Sequence, residues 1–483
     1  MTTKRYHLCH RREMRLEVTD LTVRRRSRAG FFALIASFFV TSAGCGTPSV
    51  PADPSVVSLP GQYVTLYHPR GQAPCAGTLA YLDANAAALA SYLNLPIAAP
   101  IPYHYTQDLA VCPSQQDLGC AVPHDAVVSC WSRSPTTTHE LVHAVQIDRT
   151  GDESPSFLLE GEAVALGQND RPDLSDLHAS DATLLSANPI DAADYGSAGD
   201  FVSYLLTRFG PAPFEQTLAA LRPNATVDEI ESTFARHYGG ETMADLRRDR
   251  AASPVTFYWN RLDLNECRTG TPDARLGRPG IISETVDCAS NAYGAPTLAA
   301  TRHIAFDIAA EGLYRLDAPS PSGGVVKIET CGGGRVLELS HLPDAHAIMV
   351  GHLHPGRYAF VLTALNAGTP LTFTLGVEPL ALATPMSCES VPTVAVPAGT
   401  RNIYLFSMDD RTIEVPFVLD APAAPMDAAL NRLGSAALCR GGCGVDCQPV
   451  GPLATLPLVP PGTPFSVRAT LVGQPDLVGL SLQ

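Results

Sequence analysis

The residues best suited to chemistry lie between Thr138 and Glu162. His139-Glu140-Leu141-Val142-His143 sets two histidines four apart, and at about 3.6 residues per turn both imidazoles project from one helix face, about one turn from each other. Two nitrogens so placed can grip one metal ion, and zinc takes such ligands readily. Glu140 lies about 100° round the helix from His139. There it avoids the ion and can reach a water beside it, which is where a general base must stand. The pattern therefore points to hydrolysis by a water that one zinc ion polarises, with Glu140 removing its proton.

A catalytic tetrahedral zinc takes three protein ligands and keeps one position open, so a third ligand must come from another element. Ser134-Pro135 offers an N-cap and a first-turn proline for the helix carrying the histidines, and Ser154-Pro155 does the same for a second helix. With the first helix ending near Asp148 and the second starting near Pro155, His143 lies about five residues before the turn and Glu160 about five after it. In an antiparallel pair these positions are at equal depth. Glu162 competes: it is two residues deeper, turned by about 200°, and flanked by Leu158, Leu159, Ala165 and Leu166. Depth favours Glu160 only mildly.

Thr138-His-Glu-Leu-Val-His-Ala-Val and Phe157-Leu-Leu-Glu-Gly-Glu-Ala resemble the two signatures of the gluzincins, zinc peptidases whose third ligand is the Glu of a W-L-x-E-G-x-A stretch on the following helix. The resemblance implies zinc held by His139, His143 and Glu160, with Glu140 as catalytic base. Phe157 departs from the usual Trp, while Gly161 and Ala163 match small positions that let helices approach. Tyr195-Gly-Ser-Ala-Gly-Asp-Phe-Val-Ser-Tyr-Leu is similar to the helix that follows in bacterial peptidase-like members, and the likeness spans about residues 61 to 252. A hydrolase of this kind needs an oxyanion donor. Tyr195 is the first choice, with His178, His237 and Tyr238 as alternatives. The competing readings are a metal-free amphipathic helix and a zinc-binding but catalytically inactive cell-envelope scaffold or adhesion protein; the intact Glu140 favours catalysis.

The elements that must position these groups follow from the rest of the 483 residues. Residues 1–45 read as an export signal: Arg24, Arg25, Arg26 and Arg28 precede an apolar run from Phe31 to Val40 and then Ser42, Ala43 and Gly44. Cys45 follows as in a lipobox that lacks its usual Leu, so the expected product is an envelope lipoprotein or a secreted protein, touching a membrane only through a lipid on Cys45. The chain has 33 basic and 48 acidic residues, of which nine and three fall in residues 1–44. That leaves 24 basic and 45 acidic, a formal charge of −21. Such a surface repels phosphate backbones, so the expected partner is a peptide or protein substrate and not nucleic acid.

After a linker at 46–60, a strand near Tyr63–Tyr67, an Ala-rich helix at Leu79–Leu93 and further alternation from Ile101 lead into helices as far as about 252. One of these runs from about Ser197 to Phe209, and Thr226 with Glu229 forms a capping box for another. From 253 the pattern changes to short alternating strands such as His303–Ile308 and Tyr358–Leu362. The expected fold is α+β: a mainly helical zincin-like catalytic domain at 61–252, then all-β sandwich domains at 253–380 and 381–483.

A faint repeat aligns Cys288, Ala295-Pro-Thr-Leu and Thr330-Cys-Gly-Gly-Gly with Cys388, Val391-Pro-Thr-Val and Leu438-Cys-Arg-Gly-Gly. It predicts disulfides Cys288–Cys331 and Cys388–Cys439, with Cys443–Cys447 as a local pair and Cys267 left over. Cys112 and Cys120 could close a local loop. His352 and His354 read as ordinary sandwich side chains.

Overall fold

The computed structural model describes residues 55–482 except 114–117, 125–126, 151–153, 168–193, 253–271, 277–279, 332–335, 339–346, 382–387, 398–399, 401, 408–410, 421–425, 432–434, 451–453, 456–461 and 472–475. The expected signal segment, Cys45, His178 and Cys267 lie outside the described residues. Among those described, no helix is long and apolar enough to cross a membrane.

The N-terminal part is built on a five-stranded sheet. Strands β1 (Val56–Pro60), β2 (Val64–Pro69), β3 (Ile101–Tyr105), β4 (Gly119–His124) and β5 (Val127–Ser132) run in the order β1-β2-β3-β5-β4. β2, β3 and β5 are mutually parallel, and both edges are antiparallel hairpin partners. Helix α1 (Thr78–Leu93) makes the crossover from β2 to β3, and Asn94 closes it in the left-handed conformation (φ 53°). Its Asp83 carboxylate accepts the backbone N–H groups of Gln62, Tyr63 and Val64 at 2.7–2.8 Å, fixing the β1–β2 turn.

Helix α2 (His139–Thr150) packs on β4 and β5, and α3 (Ser156–Gly167) lies between α2 and α4 (Tyr195–Phe209). Then come α5 (Pro211–Ala220), α6 (Val227–His237) and α7 (Met243–Ala252). The capping box forms as the sequence predicts: Thr226 N–H donates to Glu229 Oε2 (2.7 Å), and Glu229 N–H donates to Thr226 Oγ1 (3.3 Å). Both helices of the motif start later than their Ser-Pro pairs suggest. α2 begins at His139, its first backbone bonds going to the Thr138 carbonyl, and α3 at Ser156.

Among the described residues, eighteen further strands, β6 to β23, follow from Ile282 to Leu482 in three sheets. β6 (Ile282–Val286), β9 (Gly312–Asp317), β12 (Ala347–Leu353) and β14 (Leu371–Ala381) form one half of an eight-stranded sheet. β16 (Asn402–Ser407), β18 (Met426–Asn431), β21 (Ala454–Thr455) and β23 (Asp476–Leu482) form the other half. The halves read β6-β14-β9-β12 and β16-β23-β18-β21, the same pattern repeated, and parallel pairing of β12 with β16 joins them. The two remaining five-stranded sheets, β11-β10-β13-β8-β7 and β20-β19-β22-β17-β15, also match in strand order, although the edge pair is antiparallel in the first (β7–β8) and parallel in the second (β15–β17). The faint sequence repeat is thus a structural repeat, its two units sharing one continuous sheet.

The chain is therefore predominantly β, with four sheets against seven helices of 10 to 16 residues among the described residues. The expectation of a mainly helical zincin-like catalytic domain is corrected. Its region holds four strands, two of them (β4 and β5) in a stretch whose Cys, Pro and Gly interrupt the alternation, and a fifth (β1) lies in the expected linker. Pairing with distant strands, rather than local pattern, makes those segments strands.

The cysteine pairing differs as well. The structure forms Cys75–Cys288, Cys112–Cys120, Cys388–Cys443 and Cys439–Cys447; Cys331 is also disulfide-bonded, and Cys130 is a buried free thiol. The Cys112–Cys120 loop agrees with the local reading. The predicted Cys288–Cys331 pair does not form because Cys288 bonds Cys75, and Cys388–Cys439 and Cys443–Cys447 do not form because antiparallel β19 (Ser435–Arg440) and β20 (Cys447–Val450) set Cys439 directly opposite Cys447. Cys75–Cys288 ties the start of α1 to the first repeat unit. There Thr78 Oγ1 donates to the Gly294 carbonyl and accepts its N–H, both at 3.1 Å, and Tyr81 stacks on Tyr293 at 3.9 Å.

Candidate metal centre

The segment leading into α2 is held before the first histidine is reached. Tyr103, fully buried on β3, donates its hydroxyl to the carbonyls of Ser134 (2.9 Å) and Thr137 (3.1 Å). Thr138 Oγ1 bonds the Gly167 carbonyl at the end of α3. A Cβ on Gly167 would lie 2.8 Å from the His139 Cα, so the end of α3 sits directly against the start of α2. Gly161 does the same for the next pair: its Cβ would meet Val202 Cγ2 at 2.6 Å and the Ala198 carbonyl at 2.8 Å on α4. The small position expected at 161 therefore serves the α3–α4 contact.

This packing brings together the three expected ligands. His139 Nε2 and His143 Nε2 are 3.1 Å apart, and Glu160 Oε2 lies 3.2 Å from the first and 3.1 Å from the second. Zinc bonds of about 2.0–2.2 Å in a tetrahedral set put ligand atoms about 3.3 Å apart, so an ion set slightly off the plane of this triangle reaches all three. The three side chains are 12–19% exposed, so solvent reaches the triangle. The donor set, two imidazoles and a carboxylate, fits a catalytic zinc.

The electrostatics agree with a site built for a cation. Burial disfavours a charged imidazole at His143, but the Glu160 carboxylate, by charge and by hydrogen bond, outweighs it with help from Glu140 and Gln146, and His143 is pushed up to about 9. Burial acts on Glu160 in the opposite sense to its neighbours: the His143 charge and the bonds from both histidines prevail and hold its carboxyl well below the usual range. The raised His143 and the lowered Glu160 thus face each other as a cation and an anion.

Glu140 is buried, and its carboxylate lies against the edge strand: a Cβ on Gly119 of β4 would be 2.8 Å from Glu140 Oε1. Its main-chain carbonyl accepts from the Cys130 thiol at 3.2 Å, and burial, followed by the Glu140 charge, pushes that thiol well up. Tyr195 opens α4 with its half-buried ring parallel to that of His139, the centroids 6.0 Å apart. The alternative donors take other places. His237 Nδ1 lies 3.1 Å from Gln216 Oε1, and Tyr238 packs on Phe209 and Phe234.

Glu162, the competing ligand, turns away from the triangle. It is fully buried and accepts from Gln146 Nε2 at 2.5 Å. Gln146 was not singled out in the sequence; the available signal was an amide three residues after His143, on the same helix face.

A second cluster joins Glu311, His352 and His354. Arg411 Nη1 lies 2.6 Å from His352 Nε2, and its Nη2 lies 3.1 Å from Glu311 Oε1. The guanidinium takes the place a cation would occupy, and it ties the start of β17 (Arg411–Leu419) to the first repeat unit.

No protein-family model and no curated protein matches the chain. Among solved structures it is similar to the CUB1-EGF-CUB2 domain of human MASP-1/3, at 7% identity over 42% of this chain and 99% of that one, with a TM-score of 0.14. It is also similar to a salicylate 1,2-dioxygenase from Pseudaminobacter salicylatoxidans, at 11% identity over 38% and 71% with a TM-score of 0.10. A third is vicilin from Capsicum annuum, at 11% identity over 39% and 76% with a TM-score of 0.11. Likenesses of that size bear on neither fold nor function.

Proposed function

We propose that this chain is an exported zinc-dependent peptidase of gluzincin type that hydrolyses peptide bonds in peptide or protein substrates. The observation that carries the reading is the convergence of His139 Nε2, His143 Nε2 and Glu160 Oε2 to within 3.2 Å of one another, with Glu140 buried beside them. Zinc, when bound there, supplies a Lewis acid for the scissile carbonyl and lowers the pKa of a water. Glu140 takes the proton of that attacking water and passes it to the leaving nitrogen. Gly119 leaves room for that carboxylate, since a Cβ there would lie 2.8 Å from Glu140 Oε1. β4 ends the sheet order, so its outer edge can add an extended peptide as a further strand and lead it past Glu140. Tyr195, lying over His139, is the candidate donor to the oxyanion.

Metal analysis of protein purified without chelators should return about one zinc per chain, lost in the His139→Ala, His143→Ala double variant. Glu140→Gln should keep the zinc and abolish cleavage of casein or a peptide library. A protein without zinc sinks the proposal. Zinc-loaded wild type and Glu140→Gln that are equally inert on every substrate would point instead to the non-catalytic envelope scaffold.

A further inference from the structure

Ligand geometry accounts for the Nε2 atoms of the site and leaves the other face of His143 to be explained. His143 Nδ1 lies 2.8 Å from Gln146 Oε1. Gln146 is fully buried, and its Nε2 is 3.1 Å from the Leu159 carbonyl and 2.5 Å from Glu162 Oε2. Both of those partners are acceptors, so the Gln146 nitrogen must face them and its oxygen must face His143. The imidazole then carries its proton on Nδ1, leaving the Nε2 lone pair directed at the metal position. The backbone of α3 thus determines the tautomer on α2. The acceptor on the α3 main chain, Leu159, immediately precedes the ligand Glu160.

We propose that Gln146, clamped by the Leu159 carbonyl and the Glu162 carboxylate, is the positioning residue that holds His143 in its metal-binding tautomer and sets the spacing between His143 and Glu160. The inference rests on the zinc reading for its purpose, though not for its geometry. Outer partners of this kind raise ligand basicity, and their removal weakens metal binding by about 10- to 100-fold. The carboxylate of Glu162 extends the chain of polarised bonds, giving a role to the buried acid that the sequence offered as a rival ligand.

The test uses full-length protein labelled with 15N-histidine. In both metal-free and zinc-loaded wild type, the His143 Nδ1–H should be protected from exchange, since Gln146 accepts it in either state. Gln146→Leu should lose that protection and weaken zinc binding about 10- to 100-fold against a competing chelator. Gln146→Glu sets two carboxylates at the Glu162 contact and should weaken zinc as well; adding Glu162→Gln restores a donor there and should recover much of the loss. A merely structural role would not produce that recovery. Should Gln146→Leu not fold, the Gln146→Glu and Glu162→Gln pair carries the test. A folded Gln146→Leu with unchanged protection and unchanged zinc affinity overturns the proposal, as does the lack of any recovery in the pair. Protection present in wild type and lost in Gln146→Leu, in a protein that binds no zinc, would refute the zinc reading and leave the clamp on His143 standing.

Discussion

Zinc binding should depend steeply on pH, and the site determines the direction. His143 is held up to about 9 in the metal-free protein, against an ordinary 6.5, because the Glu160 carboxylate outweighs the effect of burial. Zinc takes only the neutral imidazole, so at pH well below 9 each ion bound must expel that proton. The apparent affinity should therefore rise nearly tenfold per pH unit well below 9 and more slowly as 9 is approached, by about 25-fold or about 2 kcal/mol between pH 7.0 and 8.5.

The stability of the metal-free protein runs the other way. The His143–Glu160 interaction contributes fully below 6.5, the unfolded value, and is lost as pH rises through 9. The increase in melting temperature on adding zinc should accordingly grow with pH across this range. Competition with a chelator of known pH dependence gives the affinity, and calorimetry in buffers of different ionisation enthalpy counts the protons. Glu160→Gln removes the charge that holds His143 up and should flatten the profile above pH 7 while weakening binding. An affinity that is flat from pH 7.0 to 8.5, or binding with no proton released, would refute the reasoning that Glu160 and His143 share one cation site.

Gly119→Ala places a Cβ 2.8 Å from Glu140 Oε1 and 2.7 Å from the Trp131 carbonyl, so it should displace the base, keep the zinc and lower kcat by about 100-fold, as read by peptide hydrolysis beside metal content. Gly161→Ala should cost about 1–3 kcal/mol in chemical denaturation, since Val202 and the Ala198 carbonyl of α4 stand within 2.8 Å of the added carbon. Replacing both Cys75 and Cys288 by Ser opens a cross-link spanning 213 residues and should cost about 2–5 kcal/mol; an unchanged denaturation midpoint would show that the contact between α1 and the first repeat unit holds without it.

Features that depend on neighbours a few residues apart were legible in the chain alone. Four-residue spacing on a helix puts His139 and His143 on one face wherever that helix is placed, and the Thr226 capping box needs only its own first turn. The repeat was legible because two units with the same strand order require similar runs in the same succession. Features that depend on groups far apart in the chain emerged only on folding. Glu160 and Glu162 sit on one helix with similar neighbours, and only the approach of α2 to α3 turns the first toward the histidines and the second toward Gln146. Cysteine partners follow strand register, which set Cys439 opposite Cys447 and sent Cys75 across to Cys288. The strands β1, β4 and β5 carry weak local patterns and exist through pairing across the sheet, so the helical expectation for that region failed where the contacts that make a strand are non-local. The placement of β4 beside Glu140 belongs to the same class: no spacing in the chain announces that Gly119 leaves room for the Glu140 carboxylate, because the contact forms only when the edge strand packs on α2.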